Sequence, residues 1–167
     1  MPNRYIHDAI SLRYEPRKSD LVDAANLLAG TGVFYTNEIK VAEELIQDAL
    51  DKAEQSEYRF LFADMEGAGL AGFVCYGYIT MTDASYDVYW LAVNAGLQGK
   101  GIGHALMKET LSLIRRDKGK RIYVDTSSRK DYTPAVRLYE KTGFRLVATV
   151  PDYFAEADDK LILMMTL

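Results

Sequence analysis

Three glycines at alternate positions between 99 and 103 separate an apolar stretch of the chain from an amphipathic one. Before them, Tyr86–Val93 is apolar on both alternating faces except at Asp87, which predicts a central strand with both faces covered. After them, apolar residues recur with the period of one helical face as far as Gly119. This predicts a helix whose apolar face carries Ile102, Ala105, Leu106, Leu113 and Ile114. The chain therefore passes directly from a buried strand to a helix at the glycines.

The N-terminal half predicts a strand, two helices and further strands. Its clearest helix has apolar residues at three-then-four spacing, while the strands alternate and end at turn residues. The predicted elements are a strand Ile10–Tyr14, a helix that Ser19 or Asp20 caps and Gly30 and Gly32 end, a helix Asn37–Glu54, and strands Tyr58–Asp64 and Leu70–Thr80. The last two should form an antiparallel meander with Tyr86–Val93.

The C-terminal part predicts a strand, a helix and two closing strands. Pro134 suits the first turn of the helix, and Gly143 suits the left-handed position after its end. The elements are strand Arg121–Thr126, helix Pro134–Thr142, strands Phe144–Val150 and Leu161–Leu167, and a polar connection Pro151–Lys160. Together with the earlier elements this predicts a mixed α/β fold, with a mostly antiparallel central sheet flanked by helices. At 167 residues, we expect residues 1–167 to form a single domain.

The charge and cysteine content exclude several classes of function. The net charge is −4 and no basic stripe is present, so nucleic acid is not an expected partner. Cys75 is the only cysteine and lies in an apolar run, which excludes an internal disulfide or a cysteine-based metal site. We expect no metal, signal peptide or membrane span, and a cytoplasmic protein.

The stretch Gln98–His104 has the chemistry of an anion site. A dinucleotide fingerprint would need glycine at position 104 or 106, and a P-loop would need Ser or Thr after Gly-Lys; His104, Leu106 and Gly101 stand there instead. Glycines nevertheless let the backbone approach an anion, and free amides at a helix N-terminus bind phosphate. Either a pyrophosphate binds here, or the glycines only form a strand-to-helix turn.

Two signatures in this half resemble the GNAT superfamily of N-acetyltransferases. Gln98, Gly101 and Gly103 match its cofactor loop, and Ala135–Phe144 matches its helix that ends in a Leu-Tyr-x-x-x-Gly-Phe run. The stretch Trp90–Val93 looks like the strand that pairs with the pantetheine arm of acetyl-CoA. The resemblance covers about residues 70–167, and the C-terminal half is similar to ribosomal-protein alanine acetyltransferases.

The resemblance implies the GNAT fold and transfer of acetyl from acetyl-CoA to a small-molecule or peptide amine by direct attack. It implies Tyr139 as the acid that protonates the leaving thiolate, and Asp125, alone or through water, as the base. The alternatives are that Tyr139 only packs its helix on the sheet and that Asp125 caps or braces a strand end. Two departures stand out: Asp125 occupies a position where the similar enzymes have glutamate, and its link to Tyr139 is longer. The implied cofactor-binding residues are Leu91, Ala92, Val93, Gln98, Gly99, Lys100, Gly101, Ile102, Gly103 and His104.

The connection Pro151–Lys160 lines the acceptor pocket in the family, which makes Tyr153, Phe154 and Glu156 candidate substrate residues here. Its acids, which also include Asp158 and Asp159, would favour a cationic amine, whereas a solvated surface loop is the alternative. Two other functions stay open at this point: a non-catalytic acyl-CoA sensor, and an acyltransferase with another acyl donor or acceptor. A homodimer is possible.

Overall fold

The computed structural model describes residues 4–7 and 10–167, which form one eight-stranded sheet with four α-helices. The strands are β1 (Arg4–His7), β2 (Ile10–Arg13), β3 (Arg59–Met65), β4 (Gly69–Tyr78), β5 (Ser85–Val93), β6 (Arg121–Ser127), β7 (Arg145–Ala155) and β8 (Asp158–Thr166). The helices are α1 (Asp20–Thr31), α2 (Thr36–Lys52), α3 (Ile102–Arg116) and α4 (Thr133–Thr142). The strand order is β1-β2-β3-β4-β5-β6-β8-β7, and among these described strands only β5 and β6 pair in parallel. The predicted mixed, mostly antiparallel α/β fold is confirmed, with β1 as an added edge strand.

Helices cover both faces of the sheet. On β3, Phe60 and Phe62 pack with α1 and α2, whereas the alternate residues Leu61 and Ala63 pack with α3. Successive side chains of a strand point to opposite faces, so the two clusters are separate cores on either side of the sheet. At its N-terminal side, Arg13 ties three elements together through Asp20 at 2.8 Å and Asp64 at 2.9 Å.

Helix α1 begins at Asp20 and ends before Gly32, as the sequence predicted, but two details of its ends were wrong. Gly30 lies inside the helix, and only Gly32 adopts the left-handed conformation that ends it, with φ 69°. Ser19 makes no capping hydrogen bond. The Asp20 carboxylate instead accepts a hydrogen bond from the Arg17 amide at 2.5 Å, besides its pair with Arg13.

The predicted polar connection 151–160 was also wrong, because both flanking strands extend through it. β7 continues to Ala155, β8 begins at Asp158, and a tight turn joins them. Pro151 is tolerated because β7 is an edge strand, where one face of the backbone needs no partner. The Asp152 carboxylate accepts from the Ala157 amide at 2.7 Å and stabilises the turn.

The parallel strands β5 and β6 part halfway along their length. They pair only from Ser85–Val88 and Arg121–Val124, and a bulge leaves Tyr89 without a partner on β4. Much of β5 is therefore half-exposed, including Asp87, and the prediction of a strand covered on both faces was wrong. The parting opens the sheet at its centre and creates a cleft.

Candidate active site

The cleft has a volume of about 1150 Å³ and begins where β5 and β6 separate. Its walls come from the α1–α2 loop, β5, the glycine turn before α3, the end of β6, α4 and the tip of β7. Beyond Val88, the edge of β5 that faces β6 has no strand to pair with. Its backbone donors and acceptors are therefore available to an extended ligand.

The glycine turn presents backbone amides at one end of the cleft. Gly99 and Gly101 have φ values of 77° and 83°, a left-handed conformation that strains other residues. The bond from the Ala105 amide to the Gly101 carbonyl, 2.9 Å long, marks the start of α3. The three preceding amides have no acceptor within the helix, and together with the helix dipole they can bind phosphate.

Nearly all of the implied cofactor-binding residues line this cleft. Gln98 also donates from Nε2 to the Val93 carbonyl at 3.3 Å, which holds the turn against β5. Lys100 is exposed and does not line the cleft. The residues that do are Leu91, Ala92, Val93, Gln98, Gly99, Gly101, Ile102, Gly103 and His104.

Gly103 brings α3 close to α4. A Cβ built at this position would lie 3.0 Å from a methyl group of Leu138, one residue before Tyr139. The Leu138 side chain would have to shift by a few tenths of an ångström to admit a side chain at position 103.

Tyr139 lines the cleft from α4. Only 5 % of the residue is exposed, and its ring packs edge to face with Phe144 at 5.7 Å. Among the residues that the structure describes, none forms a hydrogen bond with its hydroxyl. Burial raises the pKa of Tyr139, so the hydroxyl stays protonated at neutral pH. It is a free, neutral proton donor.

Asp125 also lines the cleft, one residue beyond the last pair of β5 and β6. Its carboxylate is paired with Lys160 of β8, whose Nζ lies 2.5 Å away. The same ammonium stands 4.6 Å from the centre of the Tyr153 ring. The sequence-predicted base is thus held in an ion pair.

Asp87 is a candidate site residue that the sequence analysis did not identify. It lies on β5, lines the cleft and is half-buried, and it has no hydrogen bond or ion pair in the described part of the chain. Burial, and then the charge of Asp125, raise the pKa of Asp87, while Lys160 opposes them. Its sequence signal was its position as the one charged residue in the apolar stretch Tyr86–Val93.

Aromatic side chains line the cleft from both sides. Phe34 of the α1–α2 loop packs against Trp90 at 6.1 Å and against Tyr132 at 6.3 Å. On the other side, Tyr153 and Phe154 of β7 contact each other edge to face at 4.9 Å. We call these five residues the aromatic wall.

Arg129 joins the α1–α2 loop to the segment between β6 and α4. Its Nη1 donates to the Tyr35 hydroxyl at 2.7 Å, and its guanidinium lies 5.2 Å from the centre of the Tyr132 ring. Its Nε lies 3.6 Å from Asp158. Arg129 therefore fixes the end of the cleft that carries the aromatic residues.

The acids of the β7–β8 turn do not face the cleft as expected. Glu156 is exposed and Asp159 binds the Asp152 amide at 2.9 Å, and neither lines the cleft. Asp158 does, but it is buried and accepts a hydrogen bond from the Ser127 hydroxyl. Because both strands extend into this segment, Glu156 and Asp159 lie outside the cleft. Of the three candidate substrate residues, only Tyr153 and Phe154 lie in the cleft.

No helix in residues 4–7 and 10–167 combines the length and apolar character needed to cross a membrane.

Comparison with known proteins gives a consistent result. The model of the acetyltransferase (GNAT) family matches residues 27–144. A crystal structure from Desulfovibrio desulfuricans, assigned to the GNAT family of acetyltransferases, is 32% identical with a TM-score of 0.90. The alignment covers 95% of this chain and 99% of that one. No curated protein matched at a significant level.

More distant structures share the fold. The ribosomal-protein-S18-alanine N-acetyltransferase of Escherichia coli is 16% identical with a TM-score of 0.73, over 94% of this chain and 93% of that one. A protein of Salmonella typhimurium, assigned as an acetyltransferase and solved with its cofactor acetyl-CoA, is 17% identical with a TM-score of 0.74. That alignment covers 96% of this chain and 95% of that one.

Proposed function

Because the chain belongs to the acetyltransferase (GNAT) family, we propose that it transfers an acetyl group from acetyl-CoA to the nitrogen of an amine. One observation supports this most: the glycine turn, the unpaired edge of β5 and the free hydroxyl of Tyr139 all border a single cleft. An anion site, a groove for an extended arm and a proton donor are the parts that the reaction needs.

The cleft fits acetyl-CoA. The amides at the start of α3, with Gly99 and Gly101 allowing close approach, would bind the pyrophosphate. The unpaired backbone of Leu91–Val93 would pair with the pantetheine arm. When bound, acetyl-CoA supplies an acetyl thioester whose thiolate is a good leaving group.

A base must accept a proton from the acceptor, since an alkylamine with a pKa of about 10 is protonated at neutral pH. We assign this role to Asp87, directly or through water, because its carboxylate has no partner and its pKa is raised. Asp125, which the sequence predicted, is the second candidate; its ion pair with Lys160 already occupies one of its oxygens.

Tyr139 donates the proton at the other end of the reaction. Its neutral hydroxyl borders the cleft without a competing hydrogen bond, so it can protonate the thiolate as the C–S bond breaks. The proton that the amine loses and the proton that the thiolate gains thus pass through different residues.

Thiol release tests the proposed function. The purified chain is incubated with acetyl-CoA and a panel of amines, amino acids and peptides, and free thiol and acetylated product are measured together. We expect thiol release that depends on an acceptor and matches the amide formed. Tight binding of acetyl-CoA without amine-dependent thiol release would support a sensor instead.

A further inference from the structure

Nearly all of the charged groups beside the aromatic wall form an ion pair or a hydrogen bond with another group of the protein. Both cations lie beside a carboxylate: Lys160 pairs with Asp125 at 2.5 Å, and Arg129 donates to the Tyr35 hydroxyl and lies 3.6 Å from Asp158, although its Nε has no hydrogen-bond partner among the described residues. The other basic side chains of the cleft, on His104, Arg137 and Lys141, belong to α3 and α4. An acceptor that brought a carboxylate to the aromatic wall would find no cation there that lacks a carboxylate neighbour.

Within the described residues, the acids of the cleft also have partners, except Asp131 and Asp87. Glu38 accepts from the Tyr35 amide at 2.7 Å, Asp158 binds Ser127, and Asp125 holds Lys160. Asp131 is exposed on the segment between β6 and α4. Asp87 is half-buried and has no partner among the described residues, so one free carboxylate faces the cleft from its floor on β5.

Resting on the proposed acetyl transfer, we propose that the acceptor is a primary amine with an aromatic or similarly apolar body and no carboxylate. Its single ammonium group pairs with Asp87, and its body packs against Phe34, Trp90, Tyr132, Tyr153 and Phe154. Aromatic rings bind apolar and aromatic groups well and also attract a cation over their faces. A carboxylate in the same place would be desolvated without a partner, which disfavours amino acids.

The chain provides its own reporter for this site. Trp90 is the only tryptophan and lines the cleft, so its fluorescence reports ligand binding whether or not acetyl transfer occurs. The titration uses the full chain saturated with free CoA, which cannot react, and selective excitation of tryptophan. The ligands form matched pairs: tyramine with tyrosine, phenethylamine with phenylalanine, and tyramine with the amine-free 4-ethylphenol.

We expect tyramine and phenethylamine to bind with a Kd at least about tenfold below that of the matching amino acid, as an unpaired desolvated charge costs on that order. Asp87→Asn should weaken tyramine binding roughly tenfold by removing a partly buried charge partner, and should leave 4-ethylphenol binding unchanged. Amino acids, polyamines or N-terminal peptides that bind as tightly as tyramine would overturn the proposed acceptor class. Tyramine binding that is unaffected by Asp87→Asn would overturn the role of Asp87.

The two proposals fail in different ways. Selective binding of tyramine without thiol release would contradict the proposed acetyl transfer and support the ligand class. Thiol release that is equal with tyrosine and tyramine would support acetyl transfer and overturn the ligand class.

Discussion

The ammonium of Lys160, on β8, lies 2.5 Å from the carboxylate of Asp125, on β6, and its charge also lowers the pKa of Asp87. The ion pair should affect the pH dependence of the reaction, because the charge of Lys160 opposes the effect of Asp125 on the pKa of Asp87. Without Lys160, Asp125 would repel the charge of Asp87 more strongly.

Lys160→Met should move the acid limb of the kcat profile to higher pH. Burial and the charge of Asp125 already raise the pKa of Asp87, and removing the opposing cation raises it further. A base must be deprotonated, so activity should then be lost at a higher pH than in the wild type. Lys120→Met is the matched control, since Lys120 pairs with Asp83 at 2.6 Å outside the cleft. An acid limb that stays in place in Lys160→Met would remove Asp87 from the role of base.

Asp87→Asn should make the protein more stable at neutral pH. Folding raises the pKa of the Asp87 carboxyl, so the carboxyl stabilises the folded protein at a pH below its ordinary pKa of about 3.9. This stabilisation is lost as the pH rises through the pKa of the folded state. The gain in Tm from Asp87→Asn should therefore be present at pH 7 and vanish in acid. Thermal unfolding at both pH values measures it, and equal gains at both would contradict the assigned environment of Asp87.

The sequence predicted the elements that depend on local pattern. Helices α2, α3 and α4 follow from their apolar spacing and from Gly143, and Tyr139 and the glycine turn follow from motifs. The parting of β5 from β6, the Asp125–Lys160 pair and the free state of Asp87 were not predicted. They depend on which strands that are distant in sequence become neighbours, and on the register in which they pair, for example Ser127 with Lys160. The pattern of a single sequence does not determine that register.

Gly101→Val should weaken acetyl-CoA binding by roughly tenfold or more. A side chain there is strained by about 1–2 kcal/mol at a positive φ, and its Cβ would enter open space within the cleft. Gly67→Val is the control, because Gly67 has a similar φ of 74° and open space around it but lies outside the cleft. Calorimetric titration of both variants separates backbone strain from ligand contact; equal affinities would argue against the phosphate site.

Neutralising the acids of the β7–β8 turn should affect stability more than acceptor binding. Glu156→Gln should leave the acceptor KM unchanged, because Glu156 is exposed outside the cleft. Asp158→Asn should cost about 1.5–3 kcal/mol of unfolding free energy, since it weakens a buried charged hydrogen bond to Ser127. A raised acceptor KM in Glu156→Gln would restore this turn to the acceptor pocket.

In the proposed reaction, acetyl transfer to an amine occurs in this cleft with Tyr139 as the proton donor. The most direct test is amine-dependent thiol release by the wild type, by Tyr139→Phe and by Tyr76→Phe, which alters an equally buried tyrosine outside the cleft. We expect release by the wild type and Tyr76→Phe at similar rates, and a loss of roughly 10²- to 10⁴-fold in Tyr139→Phe. The affinity for acetyl-CoA should remain unchanged. No amine-dependent release by the wild type would contradict acetyl transfer, and near wild-type turnover by Tyr139→Phe with chemistry rate-limiting would contradict the role of Tyr139.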